Sequence, residues 1–201
     1  MKVLMINSTQ NGLTLELFDE KNVYEENSLS NKHSEVILLG IDGLLKKANV
    51  SPKEVTHVAV CIGPGSFTGI RIAIAVAKAF AVANNTKLVA ITTFDLFSYN
   101  VKDVDATIVR GFATFNYLQT KTVQDCLDEE DLKQSIKGLK NIVCEDLVAQ
   151  MLEIKNYTLP NTKMFGVVMQ KINKGEFVAP QNLDALYLRL SQAELTRAGK
   201  K

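Results

Sequence analysis

The sequence predicts an α/β fold made of two tandem halves, each built on a mixed β-sheet. In the first hundred residues, three short strand-like runs precede helices and strands that alternate. The second hundred residues repeat that order roughly, without sequence identity. Short polar connections between the first three runs imply antiparallel hairpins, and the later alternation favours parallel strands. This order is typical of a ribonuclease-H-like unit.

The first half begins with three predicted strands, at Lys2–Asn7, Leu13–Phe18 and Asn22–Glu26. A helix is expected from about Lys32 to Ala48, where apolar residues recur at helical spacing. Ser51–Glu54 combines a capping box with proline at the first helical position, which predicts a helical turn. There follow the buried-type strand in VTHVAVCI, a glycine-rich turn with its helix, the strand KLVAI and a short helix from Thr93.

The second half echoes this order. ATIVRGF, ATFNYLQ and KTVQDCL are its predicted hairpin strands, and the acidic run Asp128–Asp131 begins a helix, as the helix dipole favours. The rest is predicted as a strand at NIVC, a helix near Glu145–Ile154, a strand at KMFG and a helix near Val167–Lys174. LDALYLRL then gives a strand, and a capping box from Ser191 to Glu194 begins a closing helix.

We therefore predict a first half at residues 1–102 and a smaller, diverged second half at 103–183. Residues 184–201 are predicted to pack back on the first half.

Composition excludes several classes of function. Hydrophobic residues make up 46% of the chain and the net charge is +1, so there is no electrostatic footprint for direct nucleic-acid binding. The start, MKVLMINST, is too short and too quickly polar for a signal peptide. The longest apolar stretch, Ile72–Ala83, contains Lys78 and is well short of a membrane span, so we expect a cytoplasmic protein. Cys61, Cys126 and Cys144 are widely spaced, which predicts buried thiols.

The most informative segment is CIGPGSFTGIRIAIAVAKAFAVA, residues 61–83. A phosphate-binding P-loop requires glycine at position 68, which is Thr68, and a following lysine, which is absent. The Rossmann pattern fails because Gly69 comes one residue late. A nucleophile elbow fails because Pro64 and Thr68 stand where glycines belong around Ser66.

A structural role fits this segment better. Three glycines let the backbone turn tightly and bring the helix close to its sheet, with Ser66 or Thr68 as the N-cap. The helix N-terminus remains an alternative anion site. A catalytic Ser66 would need a base, and neither His33 nor His57 comes with a recognisable partner motif. The two histidines also lack the close helical spacing of a metal site, so neither a metal nor a cofactor is expected.

One contiguous run resembles the signature of the bacterial TsaB (YeaZ) family: Gly63-Pro64-Gly65-Ser66-Phe67-Thr68-Gly69-Ile70-Arg71-Ile72. The opening VLMINST is similar to the first strand of that family, and His33-Ser34-Glu35 is similar to the start of its first helix. Tyr187-Leu188-Arg189, followed by Ser191–Glu194, resembles its C-terminal ending. The resemblance therefore runs along most of the chain.

The resemblance implies the fold of actin, Hsp70 and sugar kinases. It also implies a role in making N6-threonylcarbamoyladenosine (t6A), the modified base beside the anticodon in tRNAs that read codons beginning with A. In this family the sibling subunit TsaD carries the metal and transfers the threonylcarbamoyl group. TsaB is its non-catalytic dimerisation partner and contacts tRNA indirectly. The ATPase TsaE joins the same assembly, and TsaB is expected to pair with itself when TsaD is absent.

The residues themselves argue against catalysis in this chain. Phosphotransferases of the implied fold place an aspartate at the end of the first strand, where this chain has Asn7, a weaker metal ligand. The second half offers only Gly111 where a glycine-rich phosphate hairpin belongs, and the chain has no Gly-Gly pair. An ATP-dependent phosphotransferase remains the alternative function. A metallopeptidase or a simple self-associating protein are further alternatives.

The helix after the glycine-rich turn is apolar nearly all round, so both of its sides should be covered. One side suits the sheet, with Ala73, Val76, Phe80 and Ala83. In the first helix, Ile37, Leu38, Ile41, Leu44, Leu45 and Ala48 make a core stripe, whereas Gly40 and Gly43 lie outside it and suggest close approach of another helix. The alternative is that the two helices cover each other. We predict a joint surface for TsaD at Val36, Leu39, Gly40, Gly43, Arg71, Ile74, Ala75, Lys78 and Val82.

Overall fold

A computed structural model describes residues 1–10, 12–29, 33–111 and 114–189 of the chain. Its first half contains five strands and three α-helices. In chain order these are β1 (Val3–Asn7), β2 (Leu13–Phe18), β3 (Val23–Ser28), α1 (His33–Lys47), β4 (His57–Cys61), α2 (Phe67–Asn84), β5 (Lys87–Ile91) and α3 (Thr93–Phe97). The predicted turn before β4 is a short 3-10 turn at Pro52–Glu54, where Glu54 Oε2 accepts the N–H of Ser51 at 2.8 Å.

These strands form one mixed sheet in the order β3-β2-β1-β4-β5. β1 pairs antiparallel with β2, and β2 pairs antiparallel with β3, as the hairpin connections predict. β4 lies parallel to β1 on one side and to β5 on the other, with α2 as the crossover between them. The carboxyl ends of β1 and β4 therefore meet at one edge of the sheet, where the glycine-rich turn begins.

Among the residues that the structure describes, the second half contains four strands and three α-helices. They are β6 (Ala106–Arg110), β7 (Asn116–Thr120), β8 (Gln124–Leu127), α4 (Glu129–Ser135), β9 (Ile142–Val143), α5 (Asp146–Met151) and α6 (Met164–Asn173). The sheet order is β8-β7-β6-β9, with β6 antiparallel to β7 and parallel to β9. A single parallel bridge from Val143 to Thr158 continues the sheet beyond β9. The second sheet thus repeats the first, with its fifth strand reduced to one bridging residue.

This repeated topology confirms the predicted fold class of two mixed sheets. Two predicted strands are wrong. Met164–Gly166 of KMFG begin α6, and the fifth position of the second sheet is taken by Thr158 instead. Residues 184–189 form no strand. Their backbone makes one hydrogen bond to the first sheet region, from the Leu186 N–H to the Ile62 carbonyl at 2.8 Å. The predicted closing helix lies outside the described residues, and the boundaries at 102 and 183 stay predictions.

Alternation along the strands divides the interior into three cores. One face of the first sheet packs under α1 and α2. Its other face shares a core with α3, α6 and the inward side of β6 and β9. The outer face of the second sheet packs against α4 and α5. α3 and α6 therefore lie between the two sheets, and α6 packs against strands of the first sheet although it belongs to the second half by sequence.

A buried carboxylate fixes α6 in this position. Glu16 lies on β2 with 1% of its surface exposed, and its two oxygens accept the N–H groups of Met164 at 2.8 Å and Phe165 at 3.0 Å. Those N–H groups open α6 and have no partner within the helix. Nearby, Lys163 forms an ion pair with Glu25. Burial raises the pKa of Glu16, and the two N–H donors oppose that rise.

The cysteines and the apolar helix bear on two further expectations. Cys61 and Cys144 are buried free thiols as predicted, whereas Cys126 is half-exposed. Burial raises the pKa of Cys144 to about 12. α2 spans 18 residues and is longer than its apolar stretch; by length and composition alone it could cross a membrane. In the fold it packs against β1, β4 and β5, as the core helix of a sheet does.

Removing the Glu16 carboxylate should destabilise the chain, because both α6 donors lose their acceptor. For Glu16→Ala we expect a loss of about 1–3 kcal/mol in the free energy of unfolding, measured by urea denaturation.

Because the folded-state pKa of Glu16 is raised, the folded chain holds this proton more tightly than the unfolded chain. The native chain should therefore lose stability relative to Glu16→Gln as pH rises through that folded pKa. A relative gain as pH rises above the ordinary pKa of a glutamate would contradict this sign.

Candidate functional site

The candidate site is the glycine-rich turn, residues 63–69, where β4 ends and α2 begins. Its backbone lies against the residues that follow β1. The N–H of Ser66 donates to the Thr9 carbonyl at 2.7 Å, and Ser8 Oγ donates to the Gly69 carbonyl at 2.7 Å. A Cβ on Gly65 would lie 2.1 Å from the Thr9 carbonyl oxygen, and one on Gly69 would lie 2.1 Å from that of Ser8. Only glycine fits at either position.

This arrangement occupies the place where a phosphate loop would hold an anion. The backbone opposite the turn presents carbonyl oxygens, which repel anions. Ser66 caps α2, since its Oγ accepts the N–H of Gly69 at 3.2 Å, and the N–H of Ile70 bonds the Ser66 carbonyl at 2.9 Å. Of the two predicted N-caps, Ser66 is therefore the one used. The helix N-terminus is closed by the chain itself to a large extent.

The start of α3 also holds the turn. The N–H of Thr93 donates to the Gly63 carbonyl at 2.8 Å, and its Oγ1 donates to the Pro64 carbonyl at 2.7 Å. Thr93 is fully buried and lies 3.5 Å from the sulfur of Cys61. Burial raises the pKa of the Cys61 thiol, which therefore stays protonated and is a poor nucleophile.

Asn7 ends β1, where a phosphotransferase would place its aspartate. Its Oδ1 accepts two hydrogen bonds from Thr9, one from the N–H at 3.0 Å and one from Oγ1 at 2.8 Å. The side chain thus shapes the turn that supports the glycine-rich segment. Its one oxygen is already engaged, which leaves little capacity to hold a metal ion.

The described histidine side chain is remote from Ser66. His57 begins β4 and Ser66 follows its end, so the length of the strand, about 13 Å, separates them. The His57 ring contacts Thr56 Oγ1 at 2.8 Å and lies 5.6 Å from the ring of Phe177. Within the described residues, no group of three or more His, Cys, Asp or Glu side chains is arranged to hold a metal ion. The geometry offers Ser66 no base from this histidine.

An exposed aromatic cluster covers the first turns of α2. The rings of Phe67 and Tyr187 stack with centroids 4.7 Å apart. The guanidinium carbon of Arg71 lies 3.8 Å from the Phe67 ring centroid, and its Nε donates to the Tyr187 hydroxyl at 2.7 Å. The Leu186 carbonyl lies 3.0 Å from where a Cβ on Gly63 would stand. The end of the described chain thus packs on the signature turn.

Beyond this cluster, α1 and α2 present an apolar face to solvent. Leu38 and Leu39 of α1 are 63% and 72% exposed, and Val82 of α2 is 71% exposed. Ala75 and Ala79 of α2 are also exposed. The two helices lie side by side on the same face of the first sheet. Their mutual contact therefore leaves a part of each helix uncovered.

Comparisons with known proteins match a segment of the chain that includes this turn. The family described as "TsaD: tRNA N6-adenosine threonylcarbamoyltransferase" matches residues 26–131, more than half of the chain. A Bacillus subtilis "tRNA threonylcarbamoyladenosine biosynthesis protein TsaB" is 27% identical over 110 residues, which are 54% of this chain and 48% of that protein. A Buchnera aphidicola protein of the same name is 26% identical over 186 residues, 78% of this chain and 83% of its own. The chain belongs to the TsaB family.

A solved structure agrees on the fold. A Pseudomonas aeruginosa protein described as having "similarity to peptidase YEAZ" superposes with a TM-score of 0.74 at 17% identity. The superposition covers 94% of this chain and 99% of that one. The match to the Bacillus subtilis TsaB spans about half the length of that relative. The shared fold thus extends over most of the chain.

The structure distributes the predicted partner residues unevenly. Leu39, Gly43, Arg71, Ala75 and Val82 are exposed, and Val36, Gly40 and Lys78 are half-buried. Ile74 is only 8% exposed and lies in the first core, so it offers almost no surface. Two core assignments are wrong: Leu38 is 63% exposed and Ala83 also faces solvent, although Ile37, Ile41, Leu44 and Leu45 of the same α1 stripe are buried. These corrections make the apolar face larger than predicted.

The two glycines of α1 have different explanations. A Cβ on Gly40 would lie 2.6 Å from Leu15 Cδ1 on β2, so this glycine allows α1 to approach its own sheet. Gly40 is therefore explained by packing within the chain and needs no second helix to account for it. A Cβ on Gly43 would meet nothing within 4 Å. Within the described chain, no packing contact accounts for Gly43.

Sequence reasoning missed two residues that shape the site. Thr93 was assigned only to a helix start, although its side chain holds the signature turn. Tyr187 was assigned to a strand, although it stacks on Phe67 across the turn. A signal for Tyr187 was available, since the C-terminal ending and the signature both belong to the family resemblance. Neither the sequence separation nor any spacing rule connects the two segments.

The two glycines make a matched pair for a stability measurement. Gly43→Ala should stabilise the isolated chain by about 0.5–1 kcal/mol, because alanine lowers the backbone entropy cost in a helix and meets open space. Gly40→Ala should destabilise it by about 1–3 kcal/mol, because Leu15 must move. Thermal and urea denaturation of both variants check this. A destabilised Gly43→Ala, or a neutral Gly40→Ala, would contradict the assignment.

Proposed function

We propose that this chain is the non-catalytic, activating partner of TsaD in the formation of t6A. In that reaction a threonylcarbamoyl group is transferred to N6 of the adenosine beside the anticodon, in tRNAs that read ANN codons. The names of the relatives support a role in this pathway, since two are t6A biosynthesis proteins and the matched family is named for the transferase. The exposed apolar face shared by α1 and α2 is the observation that carries the partner role.

The composition of that face favours a protein partner. Leu38, Leu39 and Val82 are large apolar side chains that remain more than 60% exposed on neighbouring helices. Exposed apolar side chains in a contiguous patch are typical of protein interaction sites. Two small exposed residues of the same helices, Ala75 and Gly43, leave room for a partner helix to approach closely. We therefore propose that TsaD packs helix against helix on this face.

The signature turn supports a structural role for the subunit. The backbone after β1 occupies the space beside Gly65 and Gly69, and Ser66 of the turn itself caps α2. The Asn7 side chain accepts a hydrogen bond from Thr9. None of these groups is arranged to bind a phosphate or a metal. Catalysis then falls to TsaD, and this chain supplies the surface on which TsaD is held.

The remaining partner assignments follow from this proposal. Two copies of the chain would pair through the same face when TsaD is absent, because self-pairing hides the apolar patch. TsaE would join the larger assembly, and tRNA would be contacted through TsaD, in keeping with a net charge of +1. The place of action would be the cytoplasm, where tRNA is modified.

A reconstituted transfer assay tests the functional proposal. Purified TsaD and TsaE receive tRNA and the activated threonylcarbamoyl intermediate, with and without this chain, and t6A is measured. We expect transfer only with the chain present. Asn7→Ala and Ser66→Ala should retain most of it, because in this proposal neither side chain contacts tRNA or the threonylcarbamoyl donor. Each variant is first checked for folding, because Ser66→Ala also removes an N-cap.

Two outcomes would overturn the proposal. Transfer that is equally fast without the chain would exclude an activating role. Transfer lost in either variant, in a complex that still assembles, would mean that this subunit carries chemistry or a ligand. Magnesium-dependent ATP binding by the isolated chain would then support the phosphotransferase alternative.

The interface can be tested with arginine substitutions on and away from the proposed face. Leu39→Arg and Ala75→Arg place a charge in the proposed contact, and we expect each to weaken TsaD binding by about 100-fold, measured by calorimetry. Leu147→Arg is the control, because Leu147 is a 60% exposed leucine on α5, away from the face. All three variants should unfold cooperatively at similar temperatures. Retained binding in Leu39→Arg and Ala75→Arg, or equal loss in Leu147→Arg, would show that the face is misassigned.

A further inference from the structure

Residues 183–189, here called the strap, cross from the first half of the molecule to the second. Leu183 is 1% exposed and lies in the first core with α1 and α2. Leu186 and Leu188 pack against the second core, between the two sheets. The strap carries no regular secondary structure, so side chains and one backbone bond hold it in place.

At its centre the strap contacts the signature turn and the first turns of α2. Leu186 N–H donates to the Ile62 carbonyl at 2.8 Å. Tyr187 stacks on Phe67 and accepts the hydrogen bond of Arg71. Asp184 Oδ1 lies 4.0 Å from Lys78 Nζ, about two turns further along the same helix. Two of these α2 residues, Arg71 and Lys78, belong to the predicted partner surface.

At its end the strap contacts the second half. The guanidinium carbon of Arg189 lies 4.0 Å from the centroid of the Phe115 ring, which immediately precedes β7. Two strap residues separated by one position, Tyr187 and Arg189, therefore stack on rings from different halves. A cation stacked on an aromatic ring contributes about 0.5–1 kcal/mol when exposed and more when desolvated. Each contact is modest, and each can be removed by one substitution.

We propose that the strap is a mechanical coupling between the partner-binding face of α2 and the second half. Seating of Tyr187 on Phe67 and Arg71 sets the outer surface of the first turns of α2. Seating of Arg189 on Phe115 fixes the other end of the same short segment to the second sheet. Loosening either end therefore disturbs the other, and a partner held on α2 stabilises the position of the second half. The coupling to a partner rests on the proposed function, whereas the coupling within the chain does not.

The experiment loosens the strap at the end remote from α2. Arg189→Ala and Phe115→Ala remove the second-half contact without touching Phe67, Arg71 or Tyr187. In the free chain, backbone hydrogen exchange should accelerate about tenfold at Leu186 and within residues 67–71 in both variants. Affinity for TsaD should fall by about tenfold, within the range usual for energetic coupling between sites. Tyr187→Phe, which keeps the stack but loses the hydroxyl acceptor, should give a smaller effect of the same kind.

Lys137→Ala is the control, since it removes an exposed cation from the second half outside the strap. It should leave both readouts unchanged. Faster exchange confined to residues 186–189 in Arg189→Ala, with residues 67–71 and TsaD affinity as in the native chain, would overturn the coupling. If the native chain does not bind TsaD at all, the proposed function fails, and the exchange rates of residues 67–71 in the free variants still decide whether the strap couples the two ends.

Discussion

The close approach of two backbone segments governs the first half of this molecule. The turn at residues 63–69 lies against the residues after β1, with carbonyl oxygens where glycine side chains would otherwise be. Both segments follow parallel strands, so their meeting fixes the relative height of β1 and β4. It also fixes the first turn of α2, because Ser66 is at once the partner of Thr9 and the cap of the helix. A larger residue at Gly65 or Gly69 would separate the helix from its sheet.

The same contact explains why a glycine-rich turn need not bind a nucleotide. In a phosphate loop the N–H groups point into an open space, where a bound anion accepts hydrogen bonds from them. Here the N–H groups of Ser66, Gly69 and Ile70 are bonded within the protein. Glycine is required in both cases for close approach, but the approaching group differs. In this chain it is the protein's own backbone, and the consequence is a rigid junction between sheet and helix.

Much of the fold could be predicted from the sequence because its signals are local. Hairpin spacing, the Ser51–Glu54 capping turn and the acidic start of α4 each depend on neighbouring residues, and the structure confirms them. The errors fall where distant contacts decide. Lys163–Gly166 reads as a strand, but Glu16, far away in sequence, caps Met164 and Phe165 and starts a helix there. Which residues of α1 face solvent, and where the Tyr187 ring packs, also depend on contacts that no spacing rule encodes. The partner surface stays a proposal, and the structure shows only that Ile74 is buried and that Leu38 is exposed.

The outer side of α2 has two regions along the helix, which differ in what contacts them. Its inner face lies on β1, β4 and β5 over the whole length. On the outside, Phe67 and Arg71 are contacted by Tyr187 of the chain itself. Ala75, Ala79 and Val82 further along remain exposed. Under the proposed function, the chain thus covers the first turns of α2 with its own strap and leaves the later turns to a partner. A partner helix that reaches toward Arg71 would meet Tyr187 before it met α2, so the strap would form one border of the interface.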